Sequence, residues 1–359
     1  MSVFHCTRLA PSPTGALHLG HARTFLVTWW LARQAGAKVW MRMEDLDAGR
    51  ARPETVGQAY EDLRWLGMDW DPWPCSNGRE FGVQPAHILD GVVVQSHRVA
   101  EYEAALQRLW ELNAVYPCAC TRAEIVASVA NAGNAPHESD GNVRYPGTCD
   151  RAADIAPLRG FSVADVTRHV RERTGKQVCW RLRVPAGTIT FDDQVAGPQC
   201  FDVHADIGDF PVTRFIGVGT DAGLPAAYQL ACVVDDHAMG IDMVVRGDDL
   251  LSSTPRQLLL YHALGWNPPR FAHVPLVVGP DGKRLAKRHG ESRIAQFRAA
   301  GATPGRIVGW AAWRSGQSDA PQEPTATDLL KRFDVAKLPR GRITLEERDL
   351  AWLSGRDSI

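Results

Sequence analysis

Arg8-Leu9-Ala10-Pro11-Ser12-Pro13-Thr14-Gly15-Ala16-Leu17-His18-Leu19-Gly20-His21 is the stretch on which the reading of this chain turns. Residues 6–10 read as a short strand, and the Pro/Ser/Gly run 11–15 as a turn. Leu19, Ala22, Phe25, Leu26, Trp29 and Trp30 then recur on roughly one helical face. Residues 38–43 read as a second strand, and a second helix follows Arg52-Pro53-Glu54 and stops at Gly67. This β-turn-α-β-α order begins a parallel sheet with crossover helices, an α/β fold. Further on, 72–93 reads as a Pro/Gly-rich loop, 98–113 as a long helix, 131–140 as a flexible polar loop and 150–198 as a mixed insertion. The sheet pattern resumes with strands at 231–234 and 243–246 around an acidic turn, Asp235-Asp236-His237. A helix with cap and early-proline signals starts at Ser253-Thr254-Pro255, and 291–359 reads as helical and rather basic.

Composition narrows the class. The chain has 359 residues, 45% hydrophobic and 23% charged, enough for a large core without staples. It holds no apolar run of the roughly 18 to 20 residues a membrane span needs, and its first residues carry no export signal. A cytoplasmic protein with no membrane association, and a monomer, is the expectation. The formal net charge is −1, so a nucleic acid would be held by a local basic surface and not by the field of the whole molecule. Of the eight cysteines, only Cys118, Cys120 and Cys149 form a tight group, which in a reducing compartment suggests metal before disulfide.

Two segments carry chemistry suited to a nucleotide. His18-Leu-Gly-His21 at a helix start can bring imidazoles and backbone N–H groups to phosphates, with Gly20 allowing close approach of a base. The same residues also fit a capped helix with two surface histidines. Lys283-Arg-Leu-Ala-Lys-Arg-His289, opened by Gly279-Pro-Asp-Gly282, can close over a triphosphate, and equally fits a solvated charge run. Arg8 has a comparable alternative, a local pair with Asp45 or Asp47, and Tyr228 fits a core position. Cys118-Ala-Cys120 with Tyr145-Pro-Gly-Thr-Cys149 offers sulfur ligands for zinc, or else plain thiols with His137 incidental.

Taken together these segments resemble class I aminoacyl-tRNA synthetases of the glutamyl branch. Residues 8–15 with His18-Leu-Gly-His21 match that branch's first signature, and Arg284-Leu-Ala-Lys-Arg288 its lysine loop. Arg42-Met-Glu-Asp-Leu-Asp47, Val233-Val-Asp-Asp-His237 and Val245-Arg-Gly-Asp-Asp-Leu250 fall between them in family order. The likeness covers about residues 6–300, and weakly 333–353. It implies a Rossmann-type catalytic domain in two halves, 1–115 and 201–300, the second with the lysine loop. It further implies a zinc-binding insertion at 116–150, an acceptor-type insertion at 151–200 and a helical stem-contact-like region at 301–359.

The resemblance implies glutamate contacts at Arg8, Ala10, Ser12, Glu44, Tyr228 and Arg246. The chemistry agrees: two carboxylates and an ammonium need arginine forks and a carboxylate. It implies ATP contacts at Pro11, Gly20, Arg284, Lys287 and Arg288, catalytic roles for His18, His21 and Lys287, and a Mg²⁺ ion with the ATP. A Zn²⁺ site at Cys118, Cys120, Tyr145 and Cys149 looks like that of the glutamyl-queuosine tRNA(Asp) synthetases. Cys232, where ordinary glutamyl enzymes carry asparagine, points to the same group, as does the expected lack of an anticodon-binding domain. Ala286, in place of the usual serine, and the length of 301–359 depart from it. The implied reaction is activation of L-glutamate by ATP and transfer to queuosine in the anticodon loop of tRNA(Asp). The rivals are a glutamyl-tRNA synthetase without its anticodon domain and a non-catalytic RNA-binding paralogue.

Overall fold

The computed structural model describes residues 4–47, 52–73, 88–89, 91–131, 144–216, 223–283, 285 and 292–355. Strand Cys6–Leu9 runs parallel to Lys38–Met43, with Cys6 opposite Lys38, and the helix Leu19–Gln34 makes the crossover. Lys38–Met43 pairs in parallel with Val92–Val94, which pairs antiparallel with Ile88–Leu89. A second sheet pairs Met243–Gly247 in parallel with Arg270–Val274, which reaches the hairpin of Thr188–Asp193 and Gly197–Asp202. The two sheets abut at Asp242. Its backbone N–H donates to Cys6 O at 3.3 Å, and its carboxylate accepts from the backbone of His5 and Cys6, each at 2.8 Å. The central strands are buried on both faces, so no exposed–buried alternation marks them, and the arginines they carry, Arg8, Arg42 and Arg246, are buried with them.

The structure corrects the sequence reading in several places. Residues 231–234 lie in the helix Tyr228–Ala238 and not in a strand. Leu230 through Asp236 are all buried, so the helical period is hidden by burial on every side. Part of the supposed 72–93 loop supplies strands, because Val92–Val94 finds an open edge on Lys38–Met43. Elsewhere Pro255 opens the helix Thr254–Leu264 as expected, but Ser253 Oγ accepts from Gln229 Nε2 at 3.0 Å and does not cap it. The 131–140 loop lies outside the described residues beyond Asn131.

Strands Val115–Cys118, Cys179–Leu182 and Phe210–Pro211 form a separate antiparallel sheet, so the cysteine segment and the chain that follows it share one framework. The C-terminal region carries the short helices Ile294–Ala299, Pro304–Trp313 and Glu347–Leu353, and also a strand, Ile343–Thr344, paired with Val277–Val278. It packs on the back of Leu19–Gln34, where Trp30 Nε1 donates to Ala326 O at 2.9 Å. Within that region Gly309 lets the chain at Gln322 cross close to the helix Pro304–Trp313: a Cβ there would collide with the Gln322 carbonyl.

Beneath the sheet junction lies a buried charge cluster. Asp236 Oδ1, on the helix Tyr228–Ala238, accepts from Arg8 Nε at 3.1 Å and from Arg42 Nη1 at 2.5 Å. Burial alone would push the Asp236 carboxyl up; the charges of Arg42 and Arg8 outweigh it and hold the group below the ordinary carboxylate range. Removing the shared anion leaves two buried guanidinium groups short of a counter-charge, which typically costs about 3–5 kcal/mol. Asp236→Asn should therefore lower unfolding stability at neutral pH by about that amount in urea titrations. Because the folded-state pKa is depressed, this contribution is present above the unfolded carboxylate pKa of about 3.9 and is lost as pH falls below it. The variant should accordingly show a shallower loss of stability on acidification than the parent protein.

Candidate active site

The turn after Cys6–Leu9, the end of Lys38–Met43, the start of Tyr228–Ala238 and the end of Met243–Gly247 surround a cavity of about 600 Å³. It lies at the carboxyl ends of parallel strands, where open α/β sheets place their ligands. Arg8, Ala10, Ser12, Glu44, Tyr228 and Arg246 all line it, and so do Pro11, His18, Gly20 and His21. Residues separated by more than 200 positions thus converge on one space.

Arg8 does not pair with Asp45 or Asp47. Besides its bond to Asp236, its Nη1 donates to Val245 O at 3.2 Å, whereas Asp45 accepts from Ser96 and Asp47 faces Arg214. Glu44 is held by Arg42 Nη2 at 3.0 Å and by Ser12 Oγ at 3.3 Å, with the Cys232 thiol 3.7 Å from its Oε1. A carboxylate has about four acceptor positions, so this one retains capacity for an ammonium. Burial first, then Cys232 and Glu44, push the Tyr228 phenol well up, which keeps its hydroxyl a neutral donor.

Arg246 is 5% exposed and anchored differently. Its Nε donates to His273 Nε2 at 3.0 Å and its Nη2 to Thr254 Oγ1 at 2.9 Å, while Nη1 has no acceptor among the described residues. His273 Nδ1 lies 2.6 Å from Asp193 Oδ2, and the His273 backbone N–H donates to Asp193 Oδ1 at 3.0 Å. Sequence reading missed Arg42, Asp236, Asp193 and His273 as site-supporting residues. Arg42 and Asp236 lie in quoted family motifs, whereas the signal for His273 was weak, a lone histidine inside the apolar run Phe271-Ala-His-Val274.

His18 is the N-cap of Leu19–Gln34, and the two histidines form a reciprocal cap. His21 N donates to His18 Nδ1 at 3.4 Å, His18 N to His21 Nδ1 at 3.3 Å, and the rings stack with centroids 3.6 Å apart. With both Nδ1 atoms accepting, the proton of each neutral ring sits on Nε2. A Cβ on Gly20 would stand 3.0 Å from His18 Cε1, so the glycine makes room for the imidazole as well as for a ligand. Arg284, Lys287 and Arg288 lie outside the described residues. Their flanks do not: Leu285, Ser292 and Arg293 line the same cavity, and Ile294 N donates to Leu17 O at 3.0 Å. Leu285 and residues 292–294 thus stand beside the histidine turn.

At the end of the strand Val115–Cys118, the ligand atoms of Cys118, Cys120 and Cys149 lie within 4.8 Å of one another. Tyr145 Oη is 3.4 Å from the sulfurs of both Cys118 and Cys120, and Cys120 and Cys149 are 3.4 Å apart. With zinc bonds of about 2.3 Å to sulfur and 2.0 Å to oxygen, a tetrahedral S···O edge is about 3.5 Å, so the donor set fits a tetrahedral divalent ion. Burial pushes the Tyr145 phenol up, while the Arg181 guanidinium lies 4.0 Å over its ring and the Cys149 N–H donates to its oxygen at 2.9 Å. The structure adds a fourth thiol that the spacing did not suggest: buried Cys179 stands directly opposite Cys118 across the strands. His137 lies outside the described residues. Among those residues, no helix is long and apolar enough to cross a membrane.

Comparison with known proteins agrees with this geometry. The family model for the catalytic domain of class I tRNA synthetases (E and Q) matches residues 5–352. A glutamyl-Q tRNA(Asp) synthetase of Symbiobacterium thermophilum is 45% identical, the alignment covering 98% of each chain. One of Nitratidesulfovibrio vulgaris is 46% identical over 92% of this chain and 93% of its own. A glutamate–tRNA ligase of the same species is 36% identical, matching 97% of this chain but 65% of the ligase. In fold, the chain resembles the crystal structure of a glutamate tRNA ligase from Elizabethkingia meningosepticum, with a TM-score of 0.72 at 24% identity, over 98% of this chain and 69% of that one. The chain belongs to the class I tRNA synthetases of the glutamyl and glutaminyl type, and within them to the glutamyl-Q tRNA(Asp) synthetase group.

Proposed function

We infer that this protein activates L-glutamate with ATP and transfers it to the queuosine base of tRNA(Asp). The observation that carries the reading is the convergence of two buried arginines, a carboxylate and the paired-histidine helix start on one cavity. Arg8 and Arg246 take the two carboxylates of the substrate, Glu44 with Ser12 takes the ammonium, and Tyr228 donates its hydroxyl. Ala10 and Pro11 supply the close backbone wall. His18 and His21 meet the triphosphate at the positive helix end, with Gly20 admitting adenine and Arg284, Lys287 and Arg288 closing over the phosphates. An oxygen of the α-carboxylate attacks the α-phosphorus in line, and pyrophosphate leaves. A hydroxyl of the queuosine cyclopentenediol then attacks the activated carbonyl, and AMP departs. Mg²⁺ accompanying ATP supplies further neutralisation of phosphate charge.

The higher identity to glutamyl-Q enzymes than to glutamate–tRNA ligases supports the modified base over the acceptor end. We read 1–115 and 201–300 as the catalytic halves, 116–150 and 151–200 as insertions, and 301–359 as a stem-contact-like region of a cytoplasmic monomer. The anticodon loop enters the catalytic cleft. Cys118, Cys120, Tyr145 and Cys149 would hold a structural Zn²⁺ that pins the insertion.

Glutamate-dependent exchange of pyrophosphate into ATP should proceed without RNA. Arg246→Gln should weaken glutamate by about 2–5 kcal/mol, read as KM, with KM for ATP within about two-fold. Silence of the parent protein in that assay, with and without RNA, favours the non-catalytic alternative. Labelled glutamate should appear on queuosine-containing tRNA(Asp) and survive removal of the 3′ terminus; label on the terminal adenosine would mean a glutamyl-tRNA synthetase instead. Metal analysis should find about one zinc per chain, lost in a Cys120→Ser/Cys149→Ser double variant. A metal-free parent protein, purified without chelator, would refute the zinc assignment.

A further inference from the structure

The two arginines assigned to the substrate carboxylates are fixed by different means. Arg8 is held by a carboxylate, Asp236, which also satisfies part of its charge. No Asp or Glu lies within ion-pair distance of Arg246 among the described residues. Its Nε ends on His273, its Nη2 on Thr254 and, at 3.4 Å, on Leu250 O, and its Nη1 ends on nothing described. An arginine can only donate, so His273 Nε2 must be the acceptor of the 3.0 Å bond and the ring proton must sit on Nδ1. Asp193 enforces that tautomer. Its carboxylate faces Nδ1 at 2.6 Å and grips the His273 backbone N–H at the same time. Asp193 is itself held by the backbone N–H groups of Val195 and Ala196 in the hairpin turn. Burial keeps the imidazole below its ordinary range despite Asp193, so it remains a neutral acceptor.

We propose that Asp193 and His273 are positioning residues for amino-acid recognition. They lock the Nε edge of Arg246, so that its full positive charge and its unpartnered Nη1 are reserved for a substrate carboxylate. The proposal rests on the reading that Arg246 binds glutamate. A neutral acceptor orients the guanidinium without neutralising it, whereas a carboxylate in the place of His273 would compete with the substrate for the same charge. Such a chain explains why a buried histidine and a buried aspartate, neither of them in contact with the cavity, stand behind a cavity-lining arginine.

The test uses the full chain. His273→Leu removes the acceptor and should raise KM for glutamate about ten- to hundred-fold in ATP–pyrophosphate exchange, the range for losing a hydrogen bond to a charged group, with KM for ATP within about two-fold. His273→Gln keeps a carbonyl that can accept from Arg246 Nε and should recover most of the loss. Equal rises in both KM values, an unchanged glutamate KM in His273→Leu, or a glutamine variant no better than the leucine variant would overturn the proposal. The relay is also legible without activity. ¹⁵N NMR of the free protein should show one neutral imidazole with its proton on Nδ1, assigned by its loss in His273→Gln. An Nε2–H tautomer there overturns the relay even in an active enzyme. An Nδ1–H tautomer in a protein that exchanges no pyrophosphate with glutamate upholds the geometry but overturns the substrate assignment, and with it the positioning role.

Discussion

A single buried carboxylate, that of Asp236, ties together the parts from which the cavity is made. It sits on the helix that begins with Tyr228, and its partners Arg8 and Arg42 sit on the first two strands. Each of these groups alone would be a costly buried charge, and with Glu44, which also pairs with Arg42, two carboxylates face the two arginines. Because Arg42 also reaches Glu44, and Arg8 also reaches the carbonyl of Val245, the cluster transmits its rigidity to the residues that face the cavity. The arrangement of the groups that line the cavity is therefore a consequence of core electrostatics.

The cavity combines two kinds of preorganisation. At one end, fixed ionic and hydrogen-bonded side chains set two arginines, Arg8 and Arg246, and one carboxylate, Glu44, against the cavity. At the helix end, the histidines satisfy one another's backbone donors and so hold two imidazoles in stacked register at a positive terminus. Both ends need little reorganisation on binding, which is the condition under which electrostatic contacts are most effective.

The cysteine cluster follows another logic. The antiparallel sheet that carries Cys118 and Cys179 is small, and thiols are drawn together at its edge with a phenol over which Arg181 stacks. The sheet shares its apolar core with the helices Tyr228–Ala238 and Thr254–Leu264, and a cation at the thiols would add a cross-link between Cys118 on the strand and Cys149 beyond it. Beyond Phe210–Pro211, the backbone N–H of Ala227, just ahead of Tyr228, donates to Val212 O at 2.9 Å.

The local pattern of residues 6–43 was sufficient to specify strand, turn, helix and strand, because each of those steps depends on neighbours a few positions away. Family signatures were sufficient to nominate Arg8, Ser12, His18, Glu44, Tyr228 and Arg246, which the fold then brought to one cavity. Periodicity failed at residues 231–234, where burial on all sides makes a helix and a strand look alike. What no local reading supplied was the partnership of Arg8 with Asp236, of Arg246 with His273 and Asp193, and of Cys118 with Cys179. These contacts join residues 27 to 228 positions apart. Charge pairing and tautomer choice are properties of three-dimensional neighbours in a low-dielectric interior, and only the packed chain decides which neighbours those are.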